Sequence, residues 1–460
     1  METTRRKFLV SGGKVTAAAL MAVGGSSTRV HAVQQSGETG PAVEVLNPMN
    51  RVPLSFIIDD STCLVNMGHF CMPQFAEAWP ERGIYDKPWK TWPREIPDAF
   101  VREYGEWCAE NGVKGKYSVV PFPACVGWLD RELPGWSRKE LQASLKLVRD
   151  LMVPHWDIHP EMISHTRVID IATGRPLEEI SSATMENSYP QEKKSVDHLT
   201  GYLAYALQIL KNCDLPCEGI TTPGGFGTLV KSELGLAVQQ AVREVYGSEI
   251  PHYFKYVSEG DESTDPVLEQ VSGVGTDHQI LTVNVPAGTG DWFGGWDGDR
   301  EPEPDRYITR DGTGGRLAEL IRKGQPGTFL CHWPGMYTQG TKKGFDAFKQ
   351  VVLALNEHHG SQTVWMKVSE IARYWTAKEL TEIQGEAPRL QLSAPVACPA
   401  FTMAVSSALS GPPQLESMGA RQSLTETRRK DQIKPGTWLR EGEKTILCFD
   451  LPKGSSTLQL

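Results

Sequence analysis

The sequence predicts an α/β protein in which parallel strands alternate with helices. Apolar runs of strand length alternate with amphipathic helical patterns from about residue 54 to residue 375, and short polar or glycine-rich segments separate them. Many of the apolar runs are continuous, which is typical of strands buried on both faces of a parallel sheet. We therefore expect about seven or eight strand–helix units, either closed into a barrel or arranged as an open sheet.

The predicted elements follow in a regular order. Strands are predicted over 54–60, 116–121, 156–165, 220–225, 252–258, 278–285, 328–332 and 363–367. Helices are predicted over 95–111, 137–152, 190–212, 229–246, 314–323, 344–359 and 369–375. The Trp/Pro-rich stretch that follows the first strand is expected to be a long loop.

The composition changes near Gly385, where helical patterns stop. Short β-like runs occupy 389–393, 401–405, 436–440 and 445–450, with turn residues between them, and the polar segment 411–434 is expected to be a loop. The sequence therefore predicts a main domain over residues 50–380 and a small β-rich accessory domain over residues 385–460.

The overall composition narrows the class of partner. The chain has 460 residues, 40% of them hydrophobic and 22% charged, with a formal net charge of −9. An acidic chain of this kind lacks the basic footprint of a nucleic-acid-binding protein. No run has the apolar length of a membrane-spanning helix, so we expect no membrane span. The nine cysteines are odd in number and irregular in spacing, and most are expected to be small buried residues rather than disulfide partners.

The amino terminus has the pattern of an export signal. Arg5 and Arg6 precede Lys-Phe-Leu, a weakly apolar stretch follows to about Gly25, and a small-residue cleavage site lies near Ala32. Residues 1–32 are therefore predicted to be a twin-arginine signal peptide. This predicts a periplasmic or extracellular protein that is exported already folded.

Polar side chains at the ends of predicted strands indicate a metal site. Asp59 and Asp60 end the first strand, and His159, Glu161 and His165 lie on the third. Odd-numbered positions of an extended strand share one face, so this segment would direct two imidazoles and a carboxylate the same way. These are ligand types that a divalent metal ion uses. The alternative is that the Asp pair caps a turn and the histidines are hydrogen-bonded core residues.

Tryptophan is abundant, and many of these residues lie in predicted loops. Flat aromatic faces suit the apolar side of sugar rings, but loop tryptophans also anchor long loops to the body of a protein. The tryptophans in question are Trp79, Trp89, Trp92, Trp128, Trp136, Trp292 and Trp296.

The order of polar strand ends resembles that of the polysaccharide deacetylase family of metal-dependent carbohydrate esterases. The similarity covers about residues 50–375 and rests on five short motifs in order. They are Asp59-Asp60, Glu161-x-x-x-His165, Thr222-Pro223-Gly224, Asp291-Trp292 and Leu330-x-His332. It implies a distorted (β/α) barrel of about seven strands.

The resemblance also implies roles for these residues. Asp59 would be the catalytic base, His332 the acid or its partner, and Asp60 and His165 metal ligands. Glu161 stands where the family has a histidine and would be a further ligand, with His159 as an alternative one. The substrate-binding positions would be Pro223, Gly224, Asp291, Trp292 and Trp296. The chain departs from the family at Ser61, where glycine is usual, and at Thr222, where an arginine that steadies the base is usual.

The predicted function is therefore a metal-dependent hydrolase of a carbohydrate, most simply a deacetylase of N- or O-acyl groups on a glycan. The cofactor would be one divalent ion, for which the ligand types allow zinc, cobalt, manganese or nickel. Two alternatives stay open. One is a metal-independent glycoside hydrolase with paired carboxylates such as Asp60 and Glu161. The other is a non-catalytic glycan-binding protein on a barrel that has lost its activity.

Overall fold

A computed structural model describes residues 43–406, 409 and 411–460. The predicted twin-arginine segment and its cleavage site, residues 1–32, lie outside these described residues. The strands are β1 Val43–Val45, β2 Val52–Asp59, β3 Gly115–Ser118, β4 Trp156–His159, β5 Ile169–Asp170, β6 Arg175–Pro176, β7 Gly219–Thr221, β8 His252–Phe254, β9 Val267–Ser272, β10 Ile280–Asn284, β11 Gly327–His332, β12 Thr363–Trp365, β13 Glu382–Glu386, β14 Arg389–Ala394, β15 Cys398–Val405, β16 Gln414–Ser417, β17 Ala420–Ser423, β18 Thr425–Glu426, β19 Thr437–Glu441, β20 Lys444–Leu451 and β21 Gly454–Gln459.

The helices connect the strands of the first 380 residues. They are α1 Met67–Ala78, α2 Asp98–Glu110, α3 Arg138–Leu147, α4 Val196–Asn212, α5 Lys231–Tyr246, α6 Pro304–Tyr307, α7 Arg316–Lys323, α8 Trp333–Tyr337, α9 Lys343–His359 and α10 Val368–Leu380. Helix α3 shows how local sequence sets a helix start. Ser137 caps it by accepting a hydrogen bond from the Glu140 amide, while the Glu140 carboxylate accepts one from the Ser137 amide.

The prediction of a mixed α/β protein is confirmed. One sheet has the order β11-β2-β3-β4 with β12 also paired to β2, and all its pairs are parallel. A second sheet has the order β7-β8-β10-β9, in which only β9 runs antiparallel to its neighbour. Strand β2 is buried at every residue, as its continuous apolar run predicts. Within residues 52–365, the ladder pairing gives these two sheets and the two-stranded sheet β5-β6, and none of them closes into a barrel.

The register of the first sheet brings polar strand ends together. Asp59 of β2 is paired in register with His332 of β11. On the other side of β2, Ser118 of β3 is paired with His159 of β4. Because these strands are parallel, their carboxyl ends lie at one edge of the sheet, where α/β proteins commonly carry their sites.

The last part of the chain is β-rich, as predicted. Two antiparallel-dominated sheets have the orders β1-β15-β20-β19-β18 and β13-β14-β21-β16-β17. Strand β1 belongs to the first of these although it precedes β2 in sequence. Apolar residues of both regions share one buried cluster, including Ile57 and Leu330 from the parallel sheet and Leu392 and Phe401 from the β-rich part.

Several segments differ from the sequence prediction. Helix α1 lies where a loop was expected, and strands β16 to β18 lie within the predicted loop 411–434. The residues of β17 are all exposed, so this strand lacks the apolar alternation by which a strand is recognised. The third predicted strand ends at His159 rather than continuing to residue 165, because Pro160 cannot donate a ladder hydrogen bond and Met162 and His165 have left-handed backbone conformations.

All nine cysteines are free thiols, and eight of them are buried, Cys125 being the partly exposed one. This confirms the prediction that most of them are small buried residues. No helix within the described ranges is long and apolar enough to cross a membrane.

Candidate metal centre and its proton-transfer groups

Three ligand atoms converge at the carboxyl edge of β2. Asp60, Glu161 and His165 each place one ligand atom within 4.8 Å of the other two. Nε2 of His165 lies 2.8 Å from Oδ1 of Asp60 and 3.2 Å from Oε1 of Glu161. The backbone amide of Asp60 donates a 2.7 Å hydrogen bond to Oε2 of Glu161, which fixes that carboxylate. The three residues are 2%, 2% and 7% exposed.

Unusual backbone conformations aim these side chains. Asp60 has φ 58° and His165 has φ 63°, values that residues with a Cβ adopt only where the surroundings hold them. The surroundings of His165 include the buried Glu186 carboxylate, which accepts hydrogen bonds from the amides of Ile163, Ser164 and His165 at 3.1, 3.0 and 2.6 Å. Glu161 and His165 therefore meet through a turn rather than through an extended strand.

The donor set fits a divalent cation. It consists of one imidazole nitrogen and two carboxylate oxygens, a mixture that first-row divalent ions accept. Oδ1 of Asp60 is buried and makes no well-directed hydrogen bond within the described part of the chain. Burial alone would lower the pKa of His165, but the charges of Asp60 and Glu161 raise it well above its ordinary value.

Asp59 points to a different partner from its neighbour Asp60. Its Oδ1 accepts a hydrogen bond from Nζ of Lys116 on β3 and lies 3.3 Å from Oγ of Ser118. Lys116 is fully buried and also donates to the Ser118 hydroxyl at 2.9 Å. Burial and the charge of Glu161 raise the pKa of Asp59, while Lys116 and His332 act against that rise. Asp59 is thus a carboxylate held next to the ligands without being one of them.

His332 is held by Asp291. Its Nδ1 and its backbone amide both donate to Oδ2 of Asp291, at 2.8 and 3.2 Å. Burial would lower the pKa of His332, but this hydrogen bond and the charges of Asp60, Asp291 and Asp59 raise it to about 9. The imidazole is therefore protonated at neutral pH, and its side chain keeps 20% exposure, more than the 10% of His165.

The predicted substrate-binding residues lie in the surrounding loops. Pro223 and Gly224 follow β7, whose Thr221 forms an isolated parallel bridge with Glu161. The Trp292 amide donates to the Tyr307 hydroxyl at 2.7 Å, and the Arg306 guanidinium lies 4.2 Å from the centre of the Trp292 ring. Both tryptophans, 292 and 296, are half-buried.

Trp296 belongs to an aromatic cluster beside the candidate metal ligands. Its ring centroid lies 5.5 Å from that of Phe75 and 6.0 Å from that of Tyr85. Phe75 in turn lies 6.5 Å from the imidazole of His165. This cluster forms an aromatic wall next to the ligand group.

His159 is not brought to this group. Its ligand nitrogen clusters instead with Asp157 and His252, and Nε2 of His159 lies 2.9 Å from Nε2 of His252. The difference follows from the end of β4 at His159: once the chain turns, residues 161 and 165 no longer share a strand face with residue 159.

Three residues of this region carried no clear signal in the sequence. Lys116 stands in an apolar strand, and a buried lysine is rare unless it is paired. Its position was therefore a weak indication of a buried acidic partner. Glu186 and His252 lie 21 and 87 positions beyond His165 in sequence, and only the fold brings Glu186 against the amides of residues 163–165.

Comparison with known proteins gives weak likenesses. No protein-family model matches the chain, and no curated protein matches its sequence. Among solved structures, a proposed polysaccharide deacetylase from Mycobacterium smegmatis is similar at 14% identity and a TM-score of 0.39, over 76% of this chain and 99% of that one. Thermotoga maritima alpha-fucosidase in complex with fucose shows 11% identity and a TM-score of 0.28, over 90% and 97%. The catalytic domain of xylanase C from Talaromyces cellulolyticus shows 8% identity and a TM-score of 0.29, over 90% and 98%. All three are named as carbohydrate-active proteins, but TM-scores of 0.28 to 0.39 are too low to assign any role to the site of this chain.

Proposed function

We propose that the protein is a metal-dependent hydrolase that removes N- or O-linked acyl groups from a carbohydrate. The observation that carries this proposal is that the ligand group Asp60, Glu161 and His165 lies at the same strand ends as two groups able to transfer protons. Asp59 directly precedes Asp60 in the chain, and His332 on β11 is the register partner of Asp59. A hydrolase of this type needs a cation, a base and an acid around one reacting carbonyl.

We further propose that the two parallel sheets form one distorted barrel of seven strands. Two backbone contacts support it. Glu161, just after β4, forms a parallel bridge with Thr221 of β7. On the other side, the amide of Gly288, beyond β10, donates to the carbonyl of Thr328 on β11 at 2.6 Å. These contacts would order the strands β2, β3, β4, β7, β8, β10 and β11 around a closed circuit.

In the proposed reaction, Asp60, Glu161 and His165 would hold the ion. When bound, a divalent ion polarises the acyl carbonyl and makes water a better nucleophile. Asp59 takes the proton from the attacking water. Its raised pKa brings a carboxylate closer to the pH range in which a base works well.

His332 supplies the proton when the amine or alcohol leaves. It is protonated below a pH of about 9, and it donates that proton from Nε2 to the departing amine or alcohol. Asp291 holds the other ring nitrogen, Nδ1, at 2.8 Å. This fixes the ring orientation and leaves Nε2 as the atom that faces the substrate.

A carbohydrate substrate is supported by Tyr85 and Trp296, the partly exposed rings of the aromatic cluster whose third member, Phe75, is buried. Sugar rings present an apolar C–H face that packs on aromatic rings. The half-buried state of Trp296 leaves part of its surface available for such contact. Export through the predicted twin-arginine signal is part of the same proposal, since polymeric glycans lie outside the cytoplasm.

The sharing of one histidine by two carboxylates supports this function over a metal-independent glycoside hydrolase, whose two carboxylates flank the bond of a sugar ring. Asp60 and Glu161 place their ligand oxygens within 4.8 Å of one another and share the Nε2 atom of one histidine. Such a shared arrangement suits a cation better than a sugar ring.

The test is an assay of acetate release from N-acetylated and O-acetylated oligosaccharides by the purified protein. After chelator treatment we expect no release, and after addition of Zn²⁺, Co²⁺, Mn²⁺ or Ni²⁺ we expect release with at least one of them. His165→Ala should stay inactive with every ion, whereas His278→Ala, at an exposed histidine, should behave as the unmodified protein. Cleavage of the glycan chain by the metal-free protein would support the glycosidase instead, and glycan binding without any turnover would support the non-catalytic alternative.

A further inference from the structure

A second group of metal-ligand side chains lies apart from the candidate metal centre. Asp157, His159 and His252 each place a ligand atom within 4.8 Å of the other two. His159 is the last residue of β4 and His252 the first of β8. Both imidazoles are fully buried, and their Nε2 atoms are 2.9 Å apart. None of these residues is used in the proposed reaction.

We propose that Asp157, His159 and His252 form a second binding site for a divalent metal ion, one that links the two parallel sheets. Strand β4 belongs to the sheet β11-β2-β3-β4 and β8 to the sheet β7-β8-β10-β9. An ion held between them would therefore join elements that share no ladder of hydrogen bonds. This site does not depend on the proposed function.

The second ring nitrogens of both histidines have partners that suit metal ligands. Nδ1 of His252 lies 3.5 Å from the carbonyl oxygen of Ile250, which can only accept a hydrogen bond. Nδ1 of His159 lies 3.4 Å from the hydroxyl of Thr221. A histidine that donates from Nδ1 presents a lone pair at Nε2, and this is the usual arrangement of metal-bound histidines. Without an ion the two nitrogens, 2.9 Å apart, can share one hydrogen bond, because the Thr221 hydroxyl can either donate to or accept from Nδ1 of His159. With an ion bound, both rings would carry their protons on Nδ1 and direct two Nε2 lone pairs toward it.

Asp157 completes the ligand set. One of its carboxylate oxygens accepts a hydrogen bond from the Ser369 amide at 2.6 Å and the other from the Ser369 hydroxyl at 2.8 Å. Metal-binding carboxylates are commonly oriented by such outer hydrogen bonds. Asp157 is partly exposed, whereas the two imidazoles are buried.

Gly219 keeps the space that the two imidazoles occupy. It is the register partner of His252 on β7. A Cβ atom at this position would lie 2.7 Å from Nε2 of His159 and 2.7 Å from Cδ2 of His252. Only a glycine lets the two rings approach across β7. A set of two imidazoles and one carboxylate favours a borderline ion such as Zn²⁺.

The experiment counts metal ions in the purified full chain after chelator treatment, reloading with Zn²⁺ and removal of unbound ion. We expect two ions per chain. His252→Ala and His165→Ala should each retain one ion, the double variant none, and the exposed-site control His278→Ala two. An unchanged count in His252→Ala overturns the second site.

The two sites fail in different ways. A single ion that His165→Ala loses and His252→Ala keeps overturns this proposal and leaves the proposed function standing. A single ion with the opposite behaviour supports the second site and contradicts the catalytic one. If His252→Ala does not fold, Asp157→Asn replaces it, and Zn²⁺ should raise the melting temperature of the His165→Ala protein but not that of Asp157→Asn/His165→Ala. Equal melting temperatures with and without Zn²⁺ in His165→Ala then overturn the second site.

Discussion

Lys116 is the buried partner of Asp59. The lysine is fully buried on β3, and its ammonium donates to the carboxylate that ends the neighbouring strand β2. Lys116 approaches Asp59 from the neighbouring strand and places a positive charge against its carboxylate.

Removal of this charge should shift the acid side of the pH–activity profile. Lys116→Met deletes a group that lowers the pKa of Asp59, so that pKa should rise further. Since the base must be deprotonated, activity should then appear only at higher pH. An unpaired buried carboxylate should also lower the free energy of unfolding by about 3–5 kcal/mol.

The control for this prediction is Lys114→Met. Lys114 is a half-buried lysine near the start of the same strand and pairs with Glu370 at 3.2 Å, so its loss should leave the profile in place. The double variant Asp59→Asn/Lys116→Met should regain part of the lost stability, because it removes both charges. An acid side that does not move in Lys116→Met would show that the lysine has no influence on the base.

The neighbouring residues Asp59 and Asp60 should separate in their effects. Asp60→Asn removes a ligand oxygen 2.8 Å from Nε2 of His165 and should weaken metal binding at least about tenfold. Asp59→Asn should leave metal affinity unchanged and abolish acetate release, because it removes a base and not a ligand. The measurements are metal titration and turnover on the same preparations. Equal metal affinity and equal activity in the two variants would return the pair to the role of a turn cap.

Much of the site was predictable because parallel strands end at one edge. Asp59, Asp60 and His332 lie where an apolar run stops, and the register of β2 with β11 brings their ends together. The alternation of strands and helices was predictable for a separate reason. In a protein of this composition, a continuous apolar run of five to eight residues most often forms a buried strand.

The geometry of the third strand was not predictable from its own residues. The segment after His159 leaves the sheet, and its amides are satisfied by the Glu186 carboxylate instead of a neighbouring strand. That carboxylate belongs to a 3-10 turn, Glu186–Ser188, which follows β5 and β6 in the sequence. The spacing of residues 159–165 contains no information about such a distant acceptor. It therefore predicts that His159 and His165 share one site, whereas in the structure His159 lies beside His252.

Asp291 should set the alkaline side of the pH–activity profile. The pKa of His332 is raised to about 9, so the protonated acid is present below that pH and activity should fall as pH rises through it. Asp291→Asn removes the negative charge beside Nδ1 of His332. The loss of activity should then occur at lower pH, closer to the ordinary imidazole pKa of about 6.5. Asp299→Asn, at an exposed aspartate of the same loop that pairs with Lys87, should leave the fall near its original pH. A profile that does not change in Asp291→Asn would exclude His332 as the acid.

Glu186 should control metal affinity without touching the ion. Its carboxylate fixes the amides of residues 163–165 and accepts a hydrogen bond from Tyr202, and it thereby holds His165 in its left-handed conformation, φ 63°. Glu186→Ala leaves these amides without an acceptor, so the turn should relax and the imidazole should move away from Asp60. We expect metal affinity to fall about 10- to 100-fold, the range found when the outer partners of metal ligands are removed.

Two variants make the Glu186 prediction specific. Glu186→Gln retains a carbonyl oxygen that can accept from part of the same amides, so it should bind the ion with intermediate affinity. Glu192→Ala removes an exposed glutamate that pairs with Lys194 and should bind as tightly as the unmodified protein. Calorimetric titration with Zn²⁺ gives the three affinities, and thermal melting in the absence of metal separates a loosened turn from a loss of the fold. If Glu186→Ala binds the ion as tightly as Glu192→Ala, the turn holds His165 in place without this carboxylate.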